Sequence, residues 1–181
     1  MNKGILVVKD AFDEEFCNAV ANTPIPFLDG EVSGGSDVMR KSQVSFFHGY
    51  FQNPAVFQVV LPFIHKVNQE TFKFDLINLE TLQLTKYDEA DQGFYKPHAD
   101  TDNPDEYGMQ RKLSFTIQLT DPTKYQGGRL VFPDVPDYDP STALVQGTAV
   151  VFPSYLLHGV EPVTSGVRHS LVGWVRGPEF R

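Results

Sequence analysis

The order of hydrophobic and polar positions divides the chain into an N-terminal part with helical spacing and a longer part with alternating spacing. Residues 4–8 form a short apolar run typical of a strand. Residues 13–22 combine an acidic first turn with one apolar face, and residues 54–72 carry an apolar stripe after Asn53 and a proline, a common helix start. The N-terminal part therefore predicts one short strand and two amphipathic helices.

From residue 75 onward, apolar and polar positions alternate and are interrupted by glycine, proline, asparagine and aspartate. The alternation predicts strands over residues 76–87, 112–120, 128–132, 142–145, 148–152 and 167–175. Six short strands at this spacing are typical of a sandwich or barrel, and helices that precede strands favour an α+β domain. We predict one mainly β domain over residues 1–181, in which helical support (about 1–73) packs on one sheet of a core (about 74–178).

Two polar segments interrupt this pattern and are expected to be the most mobile parts of the chain. Residues 29–43 are rich in glycine and serine, and residues 101–112 contain several acidic side chains. Segments of this composition between regular elements form loops. We therefore predict that they border a site as a lid.

Composition and charge narrow the functional classes. The chain has 181 residues, which is enough for one domain with a buried core, and 15 Phe and 7 Tyr but 1 Trp. Its 23 Asp and Glu exceed its 15 Lys and Arg, for a net charge of −8, which argues against broad nucleic-acid binding. Cys17 is the one cysteine, so the sequence has no disulfide or zinc-ribbon pattern. We predict that it is a small buried apolar residue. No apolar run is long enough to span a membrane, so we expect a soluble, cytoplasmic protein.

Histidines and one aspartate suggest a metal site. His98 and Asp100 are two residues apart, so on a strand they point to the same face, and His158 follows a later predicted strand. Two histidines and one carboxylate form the facial triad of non-haem Fe(II) oxygenases, which leaves other metal positions open. The His-x-Asp pair alone is weak, because about 0.4 chance occurrences are expected in such a chain.

A candidate anion-binding pair lies near the second histidine. Arg168 follows His158 by ten residues across a predicted turn, which places its strand beside the one that carries the histidine. Ser170 shares a face with Arg168 by strand alternation. A planar guanidinium with a neighbouring hydroxyl suits a carboxylate bound through two hydrogen bonds.

The sequence resembles the Fe(II)/2-oxoglutarate-dependent oxygenases, and within them the prolyl 4-hydroxylase branch and its PKHD-type hydroxylases. The resemblance covers about residues 76–178. It rests on the segments Leu84-Thr-Lys-Tyr87, Gly93-Phe-Tyr-Lys-Pro-His-Ala-Asp100, Arg111-Lys-Leu-Ser-Phe-Thr-Ile-Gln-Leu-Thr-Asp-Pro122, Gly127-Gly-Arg-Leu130, Val151-Phe-Pro-Ser-Tyr-Leu-Leu-His158 and Pro162-Val-Thr-Ser-Gly-Val-Arg168.

The resemblance implies a double-stranded β-helix (jelly-roll) core and a set of ligands. Iron is bound by His98, Asp100 and His158, and the far carboxylate of 2-oxoglutarate pairs with Arg168, beside Ser170. Tyr87 matches a strand tyrosine whose hydroxyl contacts 2-oxoglutarate. O₂ is the second co-substrate, and ascorbate is a candidate reductant.

Further positions are expected around this centre. Tyr95 and Trp174 match aromatic residues on the substrate side, although aromatics also fill sandwich interiors without any role in binding. Arg111 is a further candidate for substrate binding. Some animal prolyl hydroxylases have a second 2-oxoglutarate tyrosine where this chain has Gln118, whose amide can also donate to a carboxylate.

The activity implied is hydroxylation of an unactivated C–H bond, with 2-oxoglutarate converted to succinate and CO₂. The expected substrate is a prolyl residue in a peptide or protein, by analogy with the branch. Three alternatives stay open: a hydroxylase of free amino acids or small metabolites, a nucleic-acid demethylase, which the charge disfavours, and a non-oxidative jelly-roll module or zinc hydrolase. The sequence leaves the oligomeric state open.

Overall fold

The structure is a computed structural model, and it describes residues 4–30, 38–49 and 53–180. Two helices lie in the first part of the chain, α1 (Glu14–Ala21) and α2 (Pro54–Val67), and a π-helical turn (Asn68–Phe72) continues α2. The Asp13 side chain accepts a hydrogen bond from the Phe16 backbone N–H and so caps α1. The two helices predicted from the apolar spacing are confirmed.

Twelve strands are present in the described ranges. They are β1 (Leu6–Val8), β2 (Leu28–Asp29), β3 (Arg40–Lys41), β4 (Gln43–Phe47), β5 (Asn78–Asp88), β6 (Phe94–His98), β7 (Met109–Gln118), β8 (Tyr125–Gly127), β9 (Leu130–Val131), β10 (Ala149–Pro153), β11 (His158–Val160) and β12 (Val163–Pro178).

The strands form two antiparallel sheets. The large sheet has the order β1-β10-β7-β12-β5-β4-β2, with β8 paired to one end of β12, and the small sheet has the order β3-β6-β11-β9. Both sheets draw strands from distant parts of the chain, as expected for a jelly roll. The expected fold class, a mainly β double-stranded β-helix with N-terminal helices, is confirmed.

The helices pack on the outer face of the large sheet. One hydrophobic cluster joins Cys17 and Val20 of α1 and Val60 of α2 to apolar side chains of the sheet, among them Leu84 and Leu171. Because side chains alternate along a strand, the other face of β5, β7 and β12 points between the two sheets. Polar residues occupy that inner face, and the candidate site lies there.

One predicted strand is wrong. Residues 142–145 do not form a strand, because a short 3₁₀ helix (Pro140–Ala143) occupies this region. The Asp139 side chain accepts hydrogen bonds from the backbone N–H and the hydroxyl of Ser141, and Pro140 fixes the first turn. These local interactions outweigh the apolar alternation.

Several short strands were missed, including β3, β4, β6 and β11, which have two to five residues each and little room for a pattern. Residues 31–37 of the first predicted lid lie outside the described part of the chain. No helix within the described ranges is long and apolar enough to cross a bilayer.

Candidate metal and anion site

Three side chains from three places in the sequence meet between the sheets. His98 ends β6, Asp100 follows two residues later, and His158 begins β11, where it pairs directly with His98. Their ligand atoms all lie within 4.8 Å of one another. Nε2 of His98 lies 3.6 Å from Asp100 Oδ1, and Nε2 of His158 lies 3.4 Å from Asp100 Oδ2. The structure thus brings the predicted triad together.

Both histidines are held in the orientation that metal binding requires. Nδ1 of His98 lies 2.9 Å from the carbonyl of Lys96, and Nδ1 of His158 lies 3.0 Å from the carbonyl of Leu156. Because a carbonyl only accepts hydrogen bonds, each Nδ1 carries a proton, and each Nε2 is the ring nitrogen that faces Asp100 and is available to a metal. Burial lowers the pKa of His158, although the Asp100 charge opposes this, so the ring favours the neutral form that binds metals.

Asp100 is an ionised and incompletely paired carboxylate. Burial raises its pKa, but a hydrogen bond with His98 and the charges of both histidines, when these are protonated, outweigh burial and lower the pKa to about 2. Its Oδ2 is buried and has no hydrogen-bond partner among the described residues. A buried carboxylate oxygen without a partner is costly, and a cation would remove that cost. Two imidazoles and a carboxylate in this arrangement therefore fit a divalent transition metal.

Two serines, Ser114 and Ser154, hold Asp100 in position. The carbonyl of Ser154 accepts hydrogen bonds from the backbone N–H groups of Asp100 and Thr101, both at 2.9 Å. The hydroxyls of Ser154 and Ser114 lie 2.9 Å apart in a buried contact, and the Ser114 hydroxyl helps to lower the pKa of Asp100. The turn after β10 and the inner face of β7 thereby fix the position of Asp100.

Arg168 provides a cation deep in the same cavity. It lies on β12 opposite Tyr87 of β5 and is only 3% exposed. Its Nε donates to Oε1 of Gln118 at 3.0 Å, whereas its Nη1 is buried without a hydrogen-bond partner in the described part of the chain. Ser170 lies two residues along the same face and also lines the cavity. A carboxylate bound at Nη1 would satisfy this donor.

The glycines before β9 make room for this arginine. Gly127 and Gly128 have φ angles of 75° and 60°, and a Cβ on Gly128 would lie 3.0 Å from Cδ of Arg168. Positive φ angles of this size favour glycine at both positions. Two tyrosines missed by the sequence analysis, Tyr125 and Tyr138, approach Arg168: burial raises the pKa of each, and the Arg168 charge opposes the rise.

Gln118 lies behind Arg168, outside the residues that line the cavity. Its Oε1 is taken by Arg168, and its Nε2 donates to the carbonyl of Thr120 at 3.0 Å. It is buried and absent from the residues that line the cavity. The structure shows Gln118 supporting the arginine, and the expected direct contact with 2-oxoglutarate stays a prediction.

The predicted substrate-side residues all line the cavity, which has a volume of about 280 Å³. The Tyr95 ring stacks on the His98 ring with centroids 3.6 Å apart, and Trp174 has a buried indole N–H with no partner among the described residues. Arg111 lies 4.3 Å over the Trp174 ring, but its Nε and Nη2 both bind Glu80, so its charge is already compensated.

Arg40 also lines the cavity and comes from the short strand β3. Its guanidinium lies 4.8 Å over the Tyr95 ring. No periodic pattern marks this residue, because it sits in a polar segment next to a two-residue strand. The remaining histidines lie elsewhere: His48 and His65 are exposed, and His169 does not line the cavity.

Known proteins resemble this chain in sequence. The family model of the 2OG-Fe(II) oxygenase superfamily matches residues 82–176. A PKHD-type hydroxylase from Maricaulis maris is 48% identical over 69 residues, which cover 38% of this chain and 31% of that protein. Another, from Idiomarina loihiensis, is 29% identical over 163 residues, which cover 86% and 70%. The alignment with the Maricaulis maris protein therefore spans about a third of the length of that protein.

Solved structures share the fold. A viral collagen prolyl hydroxylase from Paramecium Bursaria Chlorella virus-1, in a 2OG complex, superposes with a TM-score of 0.73 at 19% identity and covers 97% of both chains. A prolyl hydroxylase from Trichoplax adhaerens, in complex with a hypoxia inducible factor peptide fragment, gives 0.68 at 16% identity, with 95% and 83% covered. With the family match over residues 82–176 and the fold described above, the chain belongs to the 2OG-Fe(II) oxygenase superfamily.

Proposed function

We propose that this protein is an Fe(II)- and 2-oxoglutarate-dependent dioxygenase that hydroxylates a prolyl residue in a peptide or protein. The observation that carries the proposal is one cavity with two unsatisfied features, a carboxylate oxygen in a His-Asp-His cluster and a buried arginine N–H. A metal ion satisfies the first, and the far carboxylate of 2-oxoglutarate satisfies the second. The family model that matches the chain carries the same two ligands in its description.

The polar groups around the carboxylate and the arginine then have defined roles. His98, Asp100 and His158 hold the iron, and Arg168 with Ser170 and Tyr87 orients 2-oxoglutarate. Bound iron and O₂ supply the oxidative decarboxylation of 2-oxoglutarate that drives C–H hydroxylation. The protein keeps His158 neutral and Asp100 charged at neutral pH, so both are ready to bind the metal.

The prolyl substrate is the finer part of the proposal. It is supported by the fold shared with prolyl hydroxylases, one of which was solved with a peptide fragment. It is also supported by Tyr95 and Trp174, which offer an aromatic wall beside the triad for an apolar ring. A cavity of about 280 Å³ is at the small end for ligand pockets, so a peptide would insert one side chain and lie across the mouth.

The metal and 2-oxoglutarate assignment is tested without turnover. Fe(II) and 2-oxoglutarate are added to the protein under argon, and the weak visible charge-transfer band of the chelate is recorded. We expect the band in the wild type and in the control Asp137→Ala, which removes an exposed carboxylate that does not line the cavity. We expect no band in Asp100→Ala. A band of equal strength in Asp100→Ala would refute the assignment of the metal ligands.

The substrate is tested by succinate release in air. Proline-containing peptides are expected to raise succinate formation above the rate without substrate, and the peptides should gain one oxygen atom by mass spectrometry. Stimulation by free proline alone would instead favour a small-metabolite hydroxylase. A protein that leaves 2-oxoglutarate unconsumed under all conditions would be a binding module or a hydrolase.

A further inference from the structure

The arginines in the described part of the chain divide into two groups. Three of them form ion pairs with carboxylates: Arg111 with Glu80, Arg129 with Glu161, and Arg176 with three acidic side chains. The chain has an excess of acidic residues, with a net charge of −8, so a carboxylate partner is the expected state.

The other two described arginines, Arg40 and Arg168, have no carboxylate within ion-pair distance in residues 4–30, 38–49 and 53–180. Both of them line the same cavity. Arg168 is 3% exposed and Arg40 is partly buried, and an arginine at a cavity wall without a carboxylate partner favours the binding of an anion. The cavity is therefore built for two separate negative groups.

Arg40 is held beside the His98-Asp100-His158 cluster by its strand and by neighbouring side chains. Its backbone pairs with Tyr95 across β3 and β6, and its Nε donates to the Ser42 hydroxyl at 2.5 Å. The guanidinium lies over the Tyr95 ring, which in turn stacks on His98. Burial raises the pKa of Tyr87, and the Arg40 charge is the largest of the causes that oppose this rise, which places Arg40 near the inner wall as well.

We propose that Arg40 binds a carboxylate of the substrate, and that the protein acts on a target whose acidic group lies close to the hydroxylated carbon. The proposal rests on the proposed function, because that function assigns 2-oxoglutarate to Arg168. One carboxylate of 2-oxoglutarate goes to Arg168 and the other to the metal, so the co-substrate leaves Arg40 without an anion. The planar guanidinium fork matches a carboxylate through two parallel hydrogen bonds.

Two kinds of molecule carry such a group. One is a free amino or imino acid, whose α-carboxylate is adjacent to the ring or side chain. The other is a peptide with aspartate or glutamate next to the target prolyl residue. The shared chemistry is the carboxylate, and matched acid and amide probes separate the two sources.

The experiment measures binding by calorimetry under argon, with the protein loaded with Fe(II) and 2-oxoglutarate. The probe pairs are L-proline and L-prolinamide, and two pairs of end-blocked peptides, Ala-Pro-Asp-Ala with Ala-Pro-Asn-Ala and Ala-Asp-Pro-Ala with Ala-Asn-Pro-Ala. Each probe is titrated into the wild type, Arg40→Gln and Arg129→Gln. The last variant removes an arginine that pairs with Glu161 and does not line the cavity.

We expect the wild type and Arg129→Gln to prefer the acid in at least one pair by about tenfold or more. In Arg40→Gln the preference should fall below about threefold, while the affinity for the amide stays within about twofold. A preference for proline over prolinamide identifies a free acid, and a preference within a peptide pair identifies an acidic peptide.

Three results would overturn the proposal. The first is a wild type that binds none of the probes or shows no acid preference in any pair. The others are an undiminished acid preference in Arg40→Gln and weaker 2-oxoglutarate binding by that variant. Failure of the 2-oxoglutarate assignment is separate, because it appears as a wild type that does not bind 2-oxoglutarate at all. An acid preference for free proline alone would keep the role of Arg40 and contradict only the peptide substrate.

Discussion

Nε of Arg168 donates a hydrogen bond to Oε1 of Gln118 at 3.0 Å, and Gln118 is itself held by the Thr120 carbonyl. The amide therefore orients the guanidinium and leaves its charge uncompensated. A neutral acceptor is well suited to this position, because a carboxylate there would neutralise the cation that is proposed to bind 2-oxoglutarate.

This relationship predicts the effect of Gln118→Glu. The new carboxylate should pair with Arg168 and weaken 2-oxoglutarate binding by about tenfold or more. The measurement is the dissociation constant by anaerobic calorimetry with Fe(II) present. Gln126→Glu on β8 adds the same charge at an exposed position and should leave the constant unchanged. An unchanged constant in Gln118→Glu would mean that Arg168 does not bind the co-substrate.

Ser114 should matter for metal binding although it is not a ligand. Its hydroxyl contacts Ser154 and helps to stabilise the ionised form of Asp100. Loss of such a supporting group typically lowers metal affinity by about 10- to 100-fold. We expect Ser114→Ala to weaken Fe(II) binding in this range in a competition titration with a chelator. Thr164→Ala removes an exposed hydroxyl and serves as the control; equal affinities in both variants would contradict the supporting role.

His169 should make stability depend on pH. Burial, together with the charges of Lys86 and Arg168, lowers its pKa from 6.5 to about 4. The unfolded chain therefore binds more protons between these values, so stability is complete above pH 6.5 and falls as the pH drops toward 4. Once the pH is well below 4, the unfolding free energy is lower by about 3 kcal/mol because of this shift.

The test for His169 is urea unfolding of the wild type and His169→Gln between pH 4.5 and 7.5. The variant should lose the part of the pH dependence that this ring causes, so the difference in unfolding free energy should shrink as the pH falls. His65→Gln, at an exposed histidine, should keep the wild-type profile. A difference that is constant over the pH range would disprove the assignment.

Ion pairs connect residues 101–112, which follow Asp100, to the large sheet. Arg176 on β12 donates to Asp102 at 2.8 Å and to Asp105 at 3.2 Å, and it also contacts Glu80 at 2.8 Å. The Asp102 side chain further accepts the backbone N–H of Arg111 at 2.9 Å. The sequence predicts mobility for residues 101–112, whereas these contacts favour a segment held in place.

Hydrogen exchange distinguishes the two expectations. We expect slow amide exchange over residues 101–108 in the wild type and clearly faster exchange in Arg176→Met, where three carboxylates lose their shared cation. Arg129→Met removes an exposed ion pair elsewhere and should not change exchange in this segment. Fast exchange in the wild type would support the mobile lid instead.

Much of this protein is determined by local sequence. The 3.6-residue spacing around Cys17 and in α2 is enough to predict both helices, since an apolar stripe must be buried against something. Alternation similarly predicts the long strands β5, β7 and β12. His98 and Asp100 are two residues apart, and with His158 they match the metal-ligand pattern of the family that the sequence resembles, which is why the triad could be proposed from the sequence.

The tertiary structure decided the partnerships between distant residues. Arg40 reaches the cavity from a strand of two residues, Gln118 turns toward Arg168 rather than toward a ligand, and Arg111 is compensated by Glu80. A 3₁₀ helix at Pro140–Ala143 replaces the strand predicted at residues 142–145, because the Asp139 side chain caps this helix. Periodicity records only which face of an element is buried. Which charges stay unpaired depends on side chains brought together from across the chain, and that is settled only when the sheets pack.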